Sequence, residues 1–162
     1  MRHLDNPGAI TAGEFGSALH DIFDPQSHTT FTWERMDKLR GRQVYVFAFD
    51  VPKDSGALVI YSNRGQQIVA SYAGRIFVDA DTLEVIRITS HLDLPPQFPI
   101  QTAEREVDYS QTTIAGNSYN LPSHSEVRME ISLHSYVNKI DFKNYQKFIV
   151  ESKMLHENSP LQ

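Results

Sequence analysis

The sequence contains no cysteine among its 162 residues. This excludes disulfide bridges, a thiol nucleophile and thiolate metal ligands, so the fold must be stabilised by packing and hydrogen bonding. It says little about compartment, because many exported proteins also lack cysteine. A chain of this length buries about 70% of its unfolded surface, so we expect one domain with its own core.

Long apolar runs and basic clusters are also missing. No stretch approaches the roughly 20 apolar residues of a membrane helix, so we expect no transmembrane segment. The first eight residues are too polar to begin a secretory signal peptide, which predicts either an intracellular protein or the mature or trimmed part of an exported precursor. The net charge is -5, and the densest basic run is residues 38–42. A surface that binds nucleic acid needs a basic patch, so we expect no nucleic-acid partner.

Motifs that carry chemistry are equally scarce. The seven histidines show no HxxxH, HxH or HExxH spacing, and no GxSxG elbow is present. His124 lies beside Ser123 and Ser125, but adjacent strand residues point to opposite faces and cannot form a nucleophile and base pair. Asp79 and Asp81 could ligate a cation, yet turn chemistry explains both more simply. We therefore predict no catalytic residue, no metal site, no cofactor and a protein that is not an enzyme.

The dominant pattern is that of β-strands joined by short turns. The clearest hairpin is residues 74–92, GRIFVDADTLEVIRITSHL, in which two apolar runs flank an Asp-rich turn. Residues 29–34 alternate, and residues 43–51 are apolar on both faces, which predicts an interior strand with cover on each side. Residues 57–61 and 67–72 predict another hairpin. Successive strands with short turns favour an antiparallel meander.

The second half continues this pattern after an interruption. Residues 94–100 contain three prolines, which predict an unpaired surface loop that exposes apolar groups. Residues 126–134 alternate as one strand, and a last long strand is expected over residues 142–150. Between the loop at residues 94–100 and the strand at residues 126–134 lies a strand with an acidic face that we expect to be wet. Its two alternating sets are Ala103, Arg105, Val107 and Tyr109 on one side and Glu104, Glu106 and Asp108 on the other.

One amphipathic helix is expected near the amino end. Thr11 and Glu14 have capping-box spacing, and Asp24-Pro25 ends an apolar stripe over residues 12–23. We predict a flexible lead-in at residues 1–10, a single domain over residues 11–154 and a frayed tail at residues 155–162. The fold class is α+β: a strongly curved antiparallel sheet, a half-barrel meander, with the amino-terminal helix covering its concave face.

An apolar cavity between helix and sheet is the candidate ligand site, and plain core packing is the alternative for each of its residues. The candidate lining residues are Phe15, Leu19, Phe23, Trp33, Phe47, Phe49 and Tyr61.

The hairpin region also carries a family resemblance. Residues 72–87, YAGRIFVDADTLEVIR, resemble the hairpin of the LolA/LolB-like lipoprotein-localisation superfamily, in which a "G-x-hydrophobic-W/F-h-D" strand runs through a D-x-x-T turn into "x-h-x-R-h". The segment over residues 109–122, ending in "Y-x-L-P", is similar to bacterial proteins of this kind. The resemblance implies an exported, periplasmic or secreted bacterial protein whose half-barrel and helices enclose a hydrophobic cavity for acyl chains or lipids.

Two functions remain open from the sequence. The first is a non-enzymatic binding module of the cell envelope for an apolar ligand, namely a lipid, an acyl chain or a lipoprotein. The alternative is a protein interaction domain of a larger exported assembly, with a filled core, that docks a partner on a sheet edge or on the loop at residues 94–100.

Overall fold

The computed structural model describes residues 17–55, 58–61 and 66–146. The predicted lead-in, the capping box and the tail therefore lie outside the described residues. The helical elements are α1 (Ser17–Phe23) and one 3-10 turn (Pro25–Ser27). The strands are β1 (Thr30–Leu39), β2 (Arg42–Val51), β3 (Leu58–Tyr61), β4 (Gln67–Ala70), β5 (Tyr72–Asp79), β6 (Val85–Leu92), β7 (Ile100–Ile114), β8 (Asn117–Ile131) and β9 (His134–Asp141).

Seven of these strands form one sheet in the order β1-β2-β5-β6-β7-β8-β9, and every neighbouring pair is antiparallel. Strands β3 and β4 pair with each other in a separate two-stranded sheet. The expected antiparallel sheet with one short helix is confirmed. The expectation of an unbroken meander is wrong at one point, because the β3–β4 hairpin is an excursion and β2 pairs with β5.

Strand β2 occupies the interior position that its sequence predicts. It lies between β1 and β5. Val44 and Val46 are buried on one face, and Phe49 and Val51 are buried on the other. A strand that is apolar on both sides needs cover on both sides, and this requirement places it away from the sheet edge.

Helix α1 packs against one side of the sheet, which we call the covered face. Its main core, the central cluster, is formed by Ala18, Ile22, Phe49, Val51, Tyr72, Ile76, Ile88, Val107 and Tyr109. A second group on this face, the hairpin cluster, is formed by Phe98, Ile100, Ala103, Val127 and Met129, with Ile60 of β3 and Ile68 of β4 packed against it. The helix and the β3–β4 hairpin thus cover different parts of the same face.

The other side of the sheet, which we call the charged face, has a smaller apolar cluster of Val44, Val46 and Ile86. Beyond it, cross-strand neighbours are mostly ionic. Asp108 of β7 was expected on a wet acidic face, and this expectation is wrong, since Asp108 is only 1% exposed. It is buried because arginines cover it, as described below.

The carboxyl-terminal strands differ from the sequence expectation. The predicted strand over residues 126–134 ends at Ile131, and Ser132, at a φ of 58°, begins a turn into β9. Leu133 lies in this turn and is 98% exposed. Residues 142–146 are not in a strand, so the expected last strand is wrong there, and residues 147–150 lie outside the described residues. Apolar and polar residues continue to alternate through this turn, which contains no glycine. The sequence pattern therefore did not reveal that β8 ends at Ile131.

The loop at residues 94–100 is also different from its expectation. Its prolines leave it unpaired up to the start of β7, but Phe98 and Ile100 are buried in the hairpin cluster. The prolines predict that this segment lacks the backbone hydrogen bonds of a β-sheet, but they do not predict which of its side chains are buried. The loop therefore contributes to the core and exposes little of the apolar surface that a docking loop needs.

Gly74 marks a close approach between β5 and β6, the two strands of the central hairpin at residues 74–92. It lies in β5 opposite Ser90 of β6 and Phe49 of β2. A Cβ placed on Gly74 would lie 1.9 Å from the backbone oxygen of Thr89. Glycine within a strand commonly marks such a close backbone approach. No side chain fits at this position unless β6 moves.

We expect Gly74→Ala to lower the free energy of unfolding by about 3 kcal/mol or more, because the clash is with backbone and cannot be relieved by a rotamer change. Urea denaturation measures the loss. Gly116→Ala is the matched control: its Cβ meets open space, and only its positive φ of 81° opposes alanine. It should lose about 1–2 kcal/mol. Equal losses at the two positions would contradict the close approach.

Candidate functional site

The structure separates the residues predicted to line an apolar cavity. Phe15 lies outside the described residues, and Tyr61 is described only in its backbone. Leu19 and Phe49 pack with the central cluster beneath α1. The other three lie at the end of the covered face that is formed by β1 and β2, where Trp33 contacts Phe47 and Phe23 contacts Phe31 of β1.

These three residues belong to an aromatic strip, defined here as Phe23, Phe31, Trp33, Tyr45 and Phe47. The rings of Phe23 and Phe31 stack with centroids 5.2 Å apart. Trp33 lies 5.5 Å from Phe47 and 5.9 Å from Tyr45 between ring centroids.

The strip is unusually accessible for such large apolar groups. Phe23, Phe31 and Trp33 are 53%, 44% and 51% exposed. Their strand, β1, is at one edge of the sheet. Clustered exposed aromatic side chains of this kind mark binding surfaces more often than scattered ones do. The strip is the candidate site for an apolar ligand.

The charged face is held by a buried ionic group. Asp108 accepts hydrogen bonds from Nε of Arg87 at 2.7 Å and from Nη2 at 3.0 Å, and Arg40 of the β1–β2 turn also pairs with it. Arg87 also pairs with Glu106 at 2.8 Å. Burial alone would lower the pKa of Arg87, but the hydrogen bonds and charges of Asp108 and Glu106 raise it. These ion pairs connect β6, β7 and the β1–β2 turn.

A cavity of about 300 Å³ adjoins this group, and most of its lining belongs to the charged face. The lining residues are Gly74, Arg75, Thr89, Ser90, His91, Glu104, Arg105, Glu106, Glu126 and Arg128.

Glu126, within the cavity, pairs with Lys139 at 2.9 Å and with Arg128 at 2.5 Å. The hydrogen bond from Lys139, followed by that from Arg128, lowers the pKa of Glu126. Arg75 pairs likewise with Glu34 at 2.8 Å. The charges compensate one another, which favours a structural role for this polar cavity and distinguishes it from the predicted apolar one.

Neither metal nor serine chemistry is assembled in the part of the chain that the structure describes. No group of three or more His, Asp or Glu side chains there could hold a metal ion. His124 is bound through Nδ1 to Asp141 at 2.7 Å. Ser125 is buried, and no hydrogen bond of its hydroxyl is seen among the described residues. The structure therefore pairs His124 with a carboxylate and with neither neighbouring serine.

Asp79 has the turn function that its position in the central hairpin indicates. Its Oδ1 accepts hydrogen bonds from the amides of Asp81 at 3.0 Å and Thr82 at 2.9 Å, and from the Thr82 hydroxyl at 3.2 Å. Its Oδ2 lies 2.7 Å from Nε of Arg42. These interactions, with the Thr82 amide foremost, outweigh the effect of burial and lower the pKa of Asp79. Asp79 is a structural carboxylate, as its spacing predicts.

The lowered pKa of Asp79 gives a pH-dependent stability of definite sign. Its contribution is complete above the unfolded pKa of about 3.9 and is lost as pH falls through the lower folded pKa. We expect Asp79→Asn to be less stable than wild type at pH 7, and the difference to shrink below about pH 4. Urea denaturation at both pH values measures it, with the exposed Asp81→Asn as control. A difference independent of pH would contradict this role.

Three polar side chains on the covered face were not predicted as site residues from the sequence. The Tyr109 hydroxyl and Ser125 Oγ are buried, and within the described residues neither has a hydrogen-bond partner. Burial raises the pKa of Tyr109 to about 12. Arg105 lies between Ala103 and Val107 on the same face of β7. The only sign of Arg105 in the sequence was its place as a charged residue among the apolar residues that face the same side of the strand.

We expect Tyr109→Phe to raise the free energy of unfolding by about 1 kcal/mol, because it removes a buried hydroxyl that has no described partner. Tyr145→Phe is the matched control of opposite sign. The Tyr145 hydroxyl donates to the Pro122 carbonyl at 2.5 Å, so its loss should cost about 1 kcal/mol. Urea unfolding midpoints compare the two. Destabilisation by Tyr109→Phe would show that its hydroxyl is satisfied in solution.

Comparisons with protein-family models, curated proteins and solved structures found no match to this chain. The relationship to the lipoprotein-localisation superfamily therefore stays a prediction. Across the described ranges, no helix combines the length and apolar character needed to cross a membrane.

Proposed function

We propose that this protein is a non-enzymatic binding module for an apolar ligand, a lipid or acyl chain, free or on a lipoprotein. The observation that carries the proposal is the aromatic strip. Phe23 stacks on Phe31, and Trp33 contacts Phe47 and Tyr45, while Phe23, Phe31 and Trp33 each keep about half of their surface in water. Covering such surface would contribute roughly 25 cal/mol per Å² of apolar area.

The proposal includes the finer architecture and the compartment. The sheet is strongly curved, α1 covers its concave face, and the chain acts in the bacterial cell envelope as a periplasmic or secreted relative of the lipoprotein-localisation superfamily. The close approach at Gly74 supports curvature, because glycine positions in strands are sites of tight bending. The packing of Ala18 and Ile22 on the central cluster supports the position of the helix.

Trp33 provides a direct test, because it is the only tryptophan in the chain. A fatty acid brominated along its acyl chain should quench Trp33 fluorescence on binding and should shield the ring from acrylamide. Phe31→Ser should weaken binding about tenfold, because about 1.4 kcal/mol of apolar contact is lost. The control is Leu133→Ser, which removes a still more exposed apolar residue in the β8–β9 turn and should leave binding unchanged.

Organic extraction of the purified protein followed by mass spectrometry complements the titration. Bound lipid together with saturable quenching supports the proposal. No extracted lipid and no quenching would reject it.

A protein interaction domain is the second candidate, and strand β9 favours it. β9 is the other edge of the sheet, and its pairing with β8 is regular along its length. Val137 and Ile140 are exposed on its two faces. A regular edge strand with exposed apolar groups suits the addition of a strand from a partner. The buried Phe98 and Ile100 make the loop at residues 94–100 a poor docking segment by comparison.

A further inference from the structure

Arg105 is a positively charged residue on the covered face of the sheet. In the register it lies opposite Ser90 of β6 and Val127 of β8. Ser90 in turn faces Gly74, so two small residues precede Arg105 in the row across the sheet. The next residues along the same face of β7 are Ala103 of the hairpin cluster and Val107 of the central cluster. Arg105 therefore lies where these two clusters meet.

The guanidinium of Arg105 has no carboxylate partner in the described part of the chain. The ion pairs of the described residues satisfy Arg35, Arg40, Arg42, Arg75, Arg87 and Arg128 and leave Arg105 out. Arg105 is half-buried, so water reaches only part of it. An arginine so placed has its full set of donors available for a bound anion.

Two hydroxyls on the same face provide further donors. Ser125 pairs with Val107 and lies two residues along β8 from Val127, on the same face. Tyr109 is two residues beyond Val107, and both hydroxyls are buried without a hydrogen-bond partner in the described residues. Burial raises the pKa of Tyr109 and of Tyr72, and the charge of Arg105 lowers both, which is consistent with Arg105 lying near the two phenols.

These donors define the chemistry of a ligand end group. The planar fork of arginine matches a carboxylate with two parallel hydrogen bonds, and hydroxyl donors complete its acceptor sites. A single arginine neutralises a single negative charge, which fits a carboxylate better than a dianionic phosphate. Apolar clusters on both sides lower the local dielectric and strengthen the pairing.

We propose that Arg105, with the hydroxyls of Tyr109 and Ser125, binds the carboxylate of an amphipathic ligand whose apolar part lies on the covered face. This assignment rests on the proposed function and specifies its ligand as a fatty acid or a similar acyl carboxylate. Arg105 gives the covered face its selectivity for a ligand with an anionic end group.

The test compares a fluorescent polyene fatty acid with its methyl ester, which has the same chain and no charge. Wild-type protein should bind the acid about 10- to 100-fold more tightly than the ester, the range expected for charge-assisted hydrogen bonds. Arg105→Met keeps the side-chain volume and should abolish this preference while leaving the affinity for the ester unchanged. Arg128→Met, on the charged face, is the control and should preserve the preference.

The outcomes separate this assignment from the function on which it rests. If neither probe binds to wild type, the proposed function and the assignment both fall. Equal binding of acid and ester would overturn the assignment and leave the function standing. Tighter binding of a lysophosphatidic acid than of a fatty acid of equal chain length would overturn the choice of carboxylate.

Unfolding of the ligand-free protein provides a second measurement. Arg105→Met should unfold at the same urea concentration as wild type or a higher one. A clear loss of stability would show that a carboxylate of the chain itself already occupies Arg105, and would overturn the assignment.

Discussion

The buried carboxylate of Asp108 is the constraint on which the arrangement of the sheet depends. An ionised group that is removed from water is tolerated only when its partners are in place, and breaking such a pair costs about 3–5 kcal/mol. Its partners come from β6, through Arg87, and from the β1–β2 turn, through Arg40. Strands that are distant in sequence must therefore be in register before the charge can be buried.

The same constraint determines what the opposite face presents. Side chains alternate along a strand, so the register that brings Asp108 to Arg87 also directs Arg105 and Val107 to the covered face. A slip of one residue would expose the apolar set and bury the acidic one. The ionic group on one side thus fixes the position of the arginine on the other, and the two faces cannot be varied independently.

Much of this architecture follows from local sequence. Apolar residues on both faces of residues 43–51 predict the interior strand β2, and the Asp-rich turn after residue 78 predicts the central hairpin, because both depend on near neighbours. The burial of Asp108 could not be predicted, since Arg40 lies far away in sequence. β9 was missed because Ser132 and Leu133 turn the chain without a glycine, and alternation continued across the turn.

The candidate site was predictable only in its parts. The aromatic residues Phe23, Trp33 and Phe47 could be recognised from the sequence as candidates for contact with an apolar ligand. Which of them remain exposed to water depends on the length of α1 and on the edge position of β1. The charged residue at position 105 was visible within an apolar pattern. Its lack of an ion pair in the described chain depends on which side chains surround it in the folded protein. The alternation of apolar and polar residues in the sequence does not predict this.

Strand β1 combines two properties that are hazardous together. It is a ten-residue edge strand, and it exposes Phe31, Trp33 and Met36. Such a strand is a template for uncontrolled polymerisation. Its ladder, however, is broken by a bulge between Trp33 and Arg35, and charged residues follow at Arg35, Asp37 and Lys38. The irregularity protects against aggregation, so the chain can keep its aromatic rings in water without recruiting copies of itself into a fibril.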